Sequence, residues 1–311
     1  GAEGETGGTP SDGVDQQVGS QRSLADSKAS ESGTTGTGTS TTPKAETSQG
    51  GISVAAAIGV NISSSKAQAY IPDNGRVTAG GALRLSASNN TDATTKGDGS
   101  ATTTGTGTGI GVGVALTVVH SVNEASIGDH AQVAAGSLAL EAGMTDVHGD
   151  KLQNFSAEAV SGASGGNIGV AGSVAINVAD AKSRAEIKSG ATVTLSGGSG
   201  DVSLATESTT AAKADAQAKS DATSGKVGIG LSVGLNIANS ESVATIADTA
   251  IVTGGHDMGL TADSDNTSTT GAQAGGSATG GSGVGIGGAI AIAVVNNTTT
   301  AELGSGADLS V

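Results

Sequence analysis

The sequence predicts an all-β fold, a right-handed parallel β-solenoid (β-helix) built from repeats of about 58 residues. Three observations point there. Five aliphatic windows recur at near-constant spacing, each window alternates large and small residues, and turn dipeptides separate the segments between them.

The windows are Ile52–Ile62, Ile110–Val119, Ile168–Val178, Val227–Ile237 and Val284–Val295. Each is followed by a polar stretch, read as a turn, and a short alternating segment ending at Ile71, Ile127, Ile187, Ile246 or Leu303, with spacings of 56, 60, 59 and 57. A third element follows, as in GRVTAGGALRLSAS after Ile71 and GATVTLSGGSGDVSLA after Ile187. The rest of each unit is rich in Ala, Ser, Thr and Gly. The units are 51–108, 109–167, 168–226, 227–283 and a truncated 284–311. Disorder gives no reason for aliphatic residues to hold register over four periods.

Period-2 alternation dominated by Val and Ile favours strand over helix, and the repeated Gly lowers helix propensity further. Asn74-Gly75 and Gly80-Gly81 accept positive φ cheaply and mark turns. A unit of this kind buries an apolar side only by stacking on its neighbour. The expected arrangement has ~20–30 residues per coil and two or three coils per unit. That gives about 10–16 coils and a rod of roughly 50–75 Å. Large aliphatics are assigned to inward ladders: Val60, Leu116, Ile176, Leu235 and Ile292 from the windows, and Ile71, Ile127, Ile187, Ile246 and Leu303 from the segments after them. The opposite face of each window is Gly, Ala, Ser and Asn. That uncharged strip, with Gly59, Gly113 and Gly234, is expected to be solvated, or covered by the Ala/Ser/Thr-rich segments or by another rod.

Residues 1–50 differ. They hold two of the three prolines, Pro10 and Pro43, and lack an aliphatic run, so they read as a low-complexity segment or a long insertion of a preceding repeat. The chain does not begin with Met and ends inside a repeat, so it is expected to be a piece of a longer protein, with any secretion signal or anchor outside it.

Composition narrows the function. Of 311 residues 53 are Gly, none is Cys, aromatics are 1%, and 29 acids against 14 bases give a net charge of −15. A disulfide scaffold is excluded. Nucleic-acid binding would need a basic surface and stacking aromatics. Three prolines cannot supply collagen. The windows fall short of the ~20 apolar residues of a membrane-spanning helix, and the aromatic girdles of a membrane barrel are missing. No membrane insertion of this segment is expected.

The strand pattern, clearest in VAGSVAINVADAKSRAEIKSGATVTLSGG (Val170–Gly198), resembles the β-strand repeats of very large secreted bacterial surface proteins, the filamentous-haemagglutinin-like and leukotoxin-like adhesins. The resemblance covers 51–311. It implies a parallel β-helical stalk at the extracellular bacterial cell surface that serves attachment or cell–cell contact, without catalysis. Thr117 and Ala293 replace the Asn found at Asn61, Asn177 and Asn236, so no continuous asparagine ladder is expected.

Candidate chemistry is sparse. His120, His130, His148 and His256 occupy different repeat positions, without metal-ligand spacing. Asp92, Asp98 and Asp150 lie in Gly-containing turns, where adventitious Ca²⁺ remains open; no other cofactor is expected. Glu124, Glu186, Glu241 and Glu302 recur near the second segment, which suits a solvated edge, since an active site is normally built once. Tyr70 and Phe155 look like isolated fillers. Partners left open are surface glycans or proteins and lateral self-association. The alternative functions are a direct glycan- or self-binding module and, more remotely, an ice-binding face built on the Thr runs at Thr35–Thr42 and Thr102–Thr108.

Overall fold

The computed structural model describes residues 51–103, 106–222, 226–279 and 282–310. The reading of 1–50 and the Thr35–Thr42 run lie outside the described residues. The first unit contributes β1 (Ile52–Ile71), β2 (Arg76–Thr78), β3 (Ala82–Asn89) and β4 (Ala93–Thr102). The second contributes β5 (Thr108–Ile127), β6 (Gln132–Ala135), β7 (Ser137–Met144) and β8 (Gln153–Ser164). β9 (Ile168–Ile187), β10 (Thr192–Leu195) and β11 (Val202–Ala222) form the third unit, and β12 (Val227–Ile246), β13 (Ile251–Thr253) and β14 (Met258–Ala278) the fourth. β15 (Val284–Leu303) and β16 (Asp308–Ser310) begin a fifth. No helix occurs among the described residues, and none is long and apolar enough to cross a membrane.

Each unit forms one layer of three parallel sheets. The long strands stack in the order β1-β5-β9-β12-β15, and the short ones in the order β16-β13-β10-β6-β2. The third sheet runs β3-β7-β11-β8-β4, with β14 on β11. The register shifts equal the repeat lengths: Ile71 lies beside Ile127, Ile127 beside Ile187, Ile187 beside Ile246 and Ile246 beside Leu303. This arrangement is consistent with a β-solenoid.

Two expectations are corrected. The repeat forms one layer rather than two or three coils, so five layers rise only about 20 Å at ~4.8 Å each. The reason lies in the long strands. The turn expected after each aliphatic window is absent, and alternation runs on through the polar stretch, so β1, β5, β9, β12 and β15 are each a single strand of 20 residues. The polarity there is the outward face of a strand and does not mark a break.

The second correction concerns direction. Val60 and Ile71 stand eleven residues apart, as do Leu116 and Ile127, Ile176 and Ile187, Leu235 and Ile246, and Ile292 and Leu303. An odd separation along an unbroken strand puts side chains on opposite faces, so both sets cannot point inward. Ile71, Ile127, Ile187 and Ile246 are buried; Leu303, in the fifth layer, is exposed. Val60 and Ile292 are exposed at 58% and 47%, and Leu116, Ile176 and Leu235 are half-buried on the outer face.

The interior therefore has two parts. Near the carboxyl ends of the long strands, Ile127, Ile187 and Ile246 pack with Val133, Leu138, Leu140, Val193, Leu204 and Val252 in an aliphatic core. Towards the amino ends the interior is thin and made largely of alanine: Ala115 and Ala175 meet Ala157, Ala159, Ala214 and Ala216. Phe155 fills a step between the two parts, with Val119, Ala179 and Ala212.

At the corner after each long strand the third residue beyond the ladder position has positive φ in every layer. These residues are Asn74 (58°), His130 (57°), Gly190 (68°), Thr249 (61°) and Gly306 (73°). A backbone hydrogen bond closes each turn, as from Gly75 N–H to Pro72 O at 2.9 Å. Only two of the five are Gly, so this conserved geometry leaves little trace in the residue types. The seven extra residues of the second unit form a loop between β7 and β8, pinned by a Val147–Asp150 bridge.

Candidate interaction surface

Each long strand has two dissimilar halves on its outer face. In the amino half, in-register ladders are wholly aliphatic: Val54–Ile110–Val170–Ile229–Ile286, Ile58–Val114–Val174–Val233–Ile290, Val60–Leu116–Ile176–Leu235–Ile292 and Ile62–Val118–Val178–Ile237–Val294. One ladder between them is mixed: Ala56–Val112–Gly172–Leu231–Gly288. Leu231 is 53% exposed and Val112 38%, although both stand on interior strands.

The inner face of the same half explains this orientation. The strip of Gly, Ala, Ser and Asn is covered, and by segments of the same layers, β4, β8, β11 and β14. A methyl group on Gly59 would stand 2.7 Å from the Lys96 carbonyl oxygen, and one on Gly113 would overlap the Val160 carbonyl. A backbone approaches this closely only where no Cβ stands in its way, as at these glycines. The small face therefore fits only inward, and the aliphatic face is left outside.

Some polar groups inside the small-residue half are paired, whereas Asn177 Oδ1 and the hydroxyls of Ser161, Ser173, Ser220 and Ser232 are buried without a hydrogen-bond partner among the described residues. Asn177 Nδ2 donates to Asn236 Oδ1 at 2.9 Å, and Asn236 Nδ2 donates to Ala212 O at 2.9 Å. The Thr117 hydroxyl occupies the same ladder and donates to Ser156 O at 2.7 Å. Asparagine pairing is thus confined to adjacent layers.

The carboxyl half of the outer face carries charge. Arg184 grips Glu241 of the next layer through two hydrogen bonds, 2.7 and 2.9 Å. Glu124 accepts from Gln68 at 2.8 Å and from Lys188 at 3.3 Å, so it ties the layer before to the layer after. Burial pushes the Glu124 carboxyl up, but those hydrogen bonds and the Lys188 charge outweigh it and hold it below the ordinary range. Glu186 goes the other way. Burial pushes its carboxyl up, Glu124 and Glu241 add to the rise, and Arg184 and Lys188 only partly oppose it. The hydrogen bond to Glu241 holds the Arg184 guanidinium above its usual value. On the third sheet, Lys213 holds the Glu158 carboxyl low through a 2.9 Å hydrogen bond.

The remaining candidates are dispersed. His120 Nδ1 lies 2.9 Å from Asp180 Oδ2 on the outer face, and His130 occupies a corner. His256 sits with Asp201 and Asp257 in an exposed cluster. Asp92 accepts from Asn154 N–H of the next layer and Asp150 from Leu152 N–H, whereas Asp98 lies within β4 and not in a turn, and accepts from the Ser100 hydroxyl, each within 2.9 Å. Phe155 is fully buried, whereas Tyr70 is exposed on the polar half of β1. Glu302 lies in β15, one layer above Thr245. Sequence reasoning missed the aliphatic outer face, although the odd spacing of the two ladder sets carried the signal.

Comparison with family models, with curated proteins and with solved structures finds no match for this chain.

Proposed function

We propose that the chain is a structural segment of a large secreted bacterial surface adhesin, wound as a right-handed closed β-solenoid, that carries mechanical load without catalysis. The observation that supports this reading is the unbroken ladder. Neighbouring layers are joined in register along 20 residues of the long strand alone, and by further ladders on the other two sheets, of which β11–β14 runs 21 residues. Backbone hydrogen bonds run along the stack, so tension along it is shared by every bond of a layer at once. Charged pairs such as Arg184–Glu241 and Arg84–Glu141 bridge successive layers and reinforce the same register.

In this role the protein works at the bacterial cell surface, and the residues that matter are the ladder and corner residues. Antibodies raised against the chain test this. They should label intact, unpermeabilised cells, and an in-frame deletion of one 59-residue unit, 168–226, should preserve display while lowering attachment. Labelling only after permeabilisation would exclude the reading. A glycan array separates the stalk from a direct glycan-binding module: the stalk gives no saturable binding.

A further inference from the structure

We propose that the aliphatic half-face of the long-strand sheet docks a second copy of this chain, face to face, as in a β-sandwich. The surface spans Ile52–Ile62 and its register partners on five strands. Eleven residues at ~3.3 Å by five strands at ~4.8 Å is about 850 Å². That exceeds the ~300–600 Å² of the largest apolar patch on an ordinary monomer. Paired about a two-fold axis, two copies superpose four of the five layers, β5, β9, β12 and β15, about 700 Å², which lies near the ~800 Å² each partner contributes to a stable interface.

Shape favours a second copy. The ladder Ala56–Val112–Gly172–Leu231–Gly288 alternates small and large along the stack. A two-fold axis parallel to the strands, between the third and fourth layers, sets Leu231 of each copy over Gly172 of the other. The same axis sets Val112 over Gly288. Gly172 is open for the Leu231 knob, while the Leu231 side chain of the same copy partly fills the space over Gly288; the reciprocal Leu231–Gly172 contact is the knob-and-hole that a two-fold interface requires. Charge agrees as well: this axis brings Lys182 of one copy opposite Glu241 of the other, and it opposes no like charges in the polar halves.

The other occupants fit less well. Residues 1–50 offer three large aliphatics, Val14, Val18 and Leu24, too few to cover five ladders. A lipid surface would favour interfacial aromatics and a cationic rim. Here the only aromatic on the outer face of these strands is Tyr70, at the polar end, and the net charge is −15. The proposal concerns a surface of the folded chain and does not rest on where the chain works.

Sedimentation of the full chain and of Gly172→Lys tests it. A Cβ on Gly172 meets nothing within 4 Å, so the lysine leaves the fold intact, checked by an unchanged circular-dichroism melt at low concentration. The wild type should dimerise in the micromolar range, and G172K should weaken association at least about tenfold. A wild type still monomeric at about 100 μM, or a dimer indifferent to G172K, would overturn the proposal. So would a monomer that co-sediments with phosphatidylcholine vesicles and loses that binding in G172K.

Discussion

The amino and carboxyl halves of each long strand share one backbone and one register, yet they solve opposite packing problems. In the carboxyl half Ile127, Ile187 and Ile246 point in and Arg184, Glu186 and Glu241 point out, as hydrophobic burial alone would arrange them. In the amino half Ala175 points in and Ile176 points out. The opposing surface decides which face is buried. The segments facing the amino half carry mainly alanine, serine, glycine and threonine, and against them a small face closes. Burial of the larger side chains is given up there in exchange for backbone contact.

The largest effect should come from breaking that contact. Gly113→Val places a branched side chain where even a methyl overlaps the Val160 carbonyl. The sheets must separate, and the substitution should cost more than about 3 kcal/mol or abolish cooperative unfolding, read by urea denaturation with far-ultraviolet circular dichroism. Next comes a direct contrast on one strand. Ile187→Ala, in the aliphatic core, should cost about 2–5 kcal/mol. Ile176→Ala, on the outer face of the same strand, should cost less than about 1 kcal/mol when measured dilute. Equal losses at the two sites would break the two-half picture.

The smallest effect is electrostatic. The Glu186 carboxyl is raised in the folded chain. Its ionised form at neutral pH is thus disfavoured by folding, and the penalty disappears as pH falls to where the unfolded carboxyl protonates. Glu186→Gln should therefore stabilise at pH 7, by less than about 1 kcal/mol given its partial solvent screening, and do nothing near pH 4. Glu124 and Glu158, held low by their partners, act in the opposite sense. Their contribution is present above the ordinary carboxylate value and is lost as pH falls through their lowered values. A stability profile in which E186Q tracks wild type at every pH would remove Glu186 as a buried liability.

Much was legible in the residues. The all-β class follows from period-2 alternation, and the boundaries near 108, 168, 227 and 284 fall where the long strands begin. The parity of Val60 against Ile71 was also legible, and it forbids a single inward set if the strand is unbroken. Whether the strand was broken was not legible, because SSSKAQ in β1 and ADAKSR in β9 read equally well as turn or as polar face. The corner geometry was hidden for another reason. His130 and Thr249 adopt positive φ that local preference disfavours, so the stacked neighbours impose it.

Strand content, repeat length and the residues that occupy equivalent positions in successive repeats follow from the sequence, because these depend on alternation and spacing along the chain. Tertiary structure alone decided the number of layers per repeat and which face of the long sheet is buried. Both depend on what lies across the interior, and a glycine-lined strip becomes an inner wall only when an equally small surface stands opposite it.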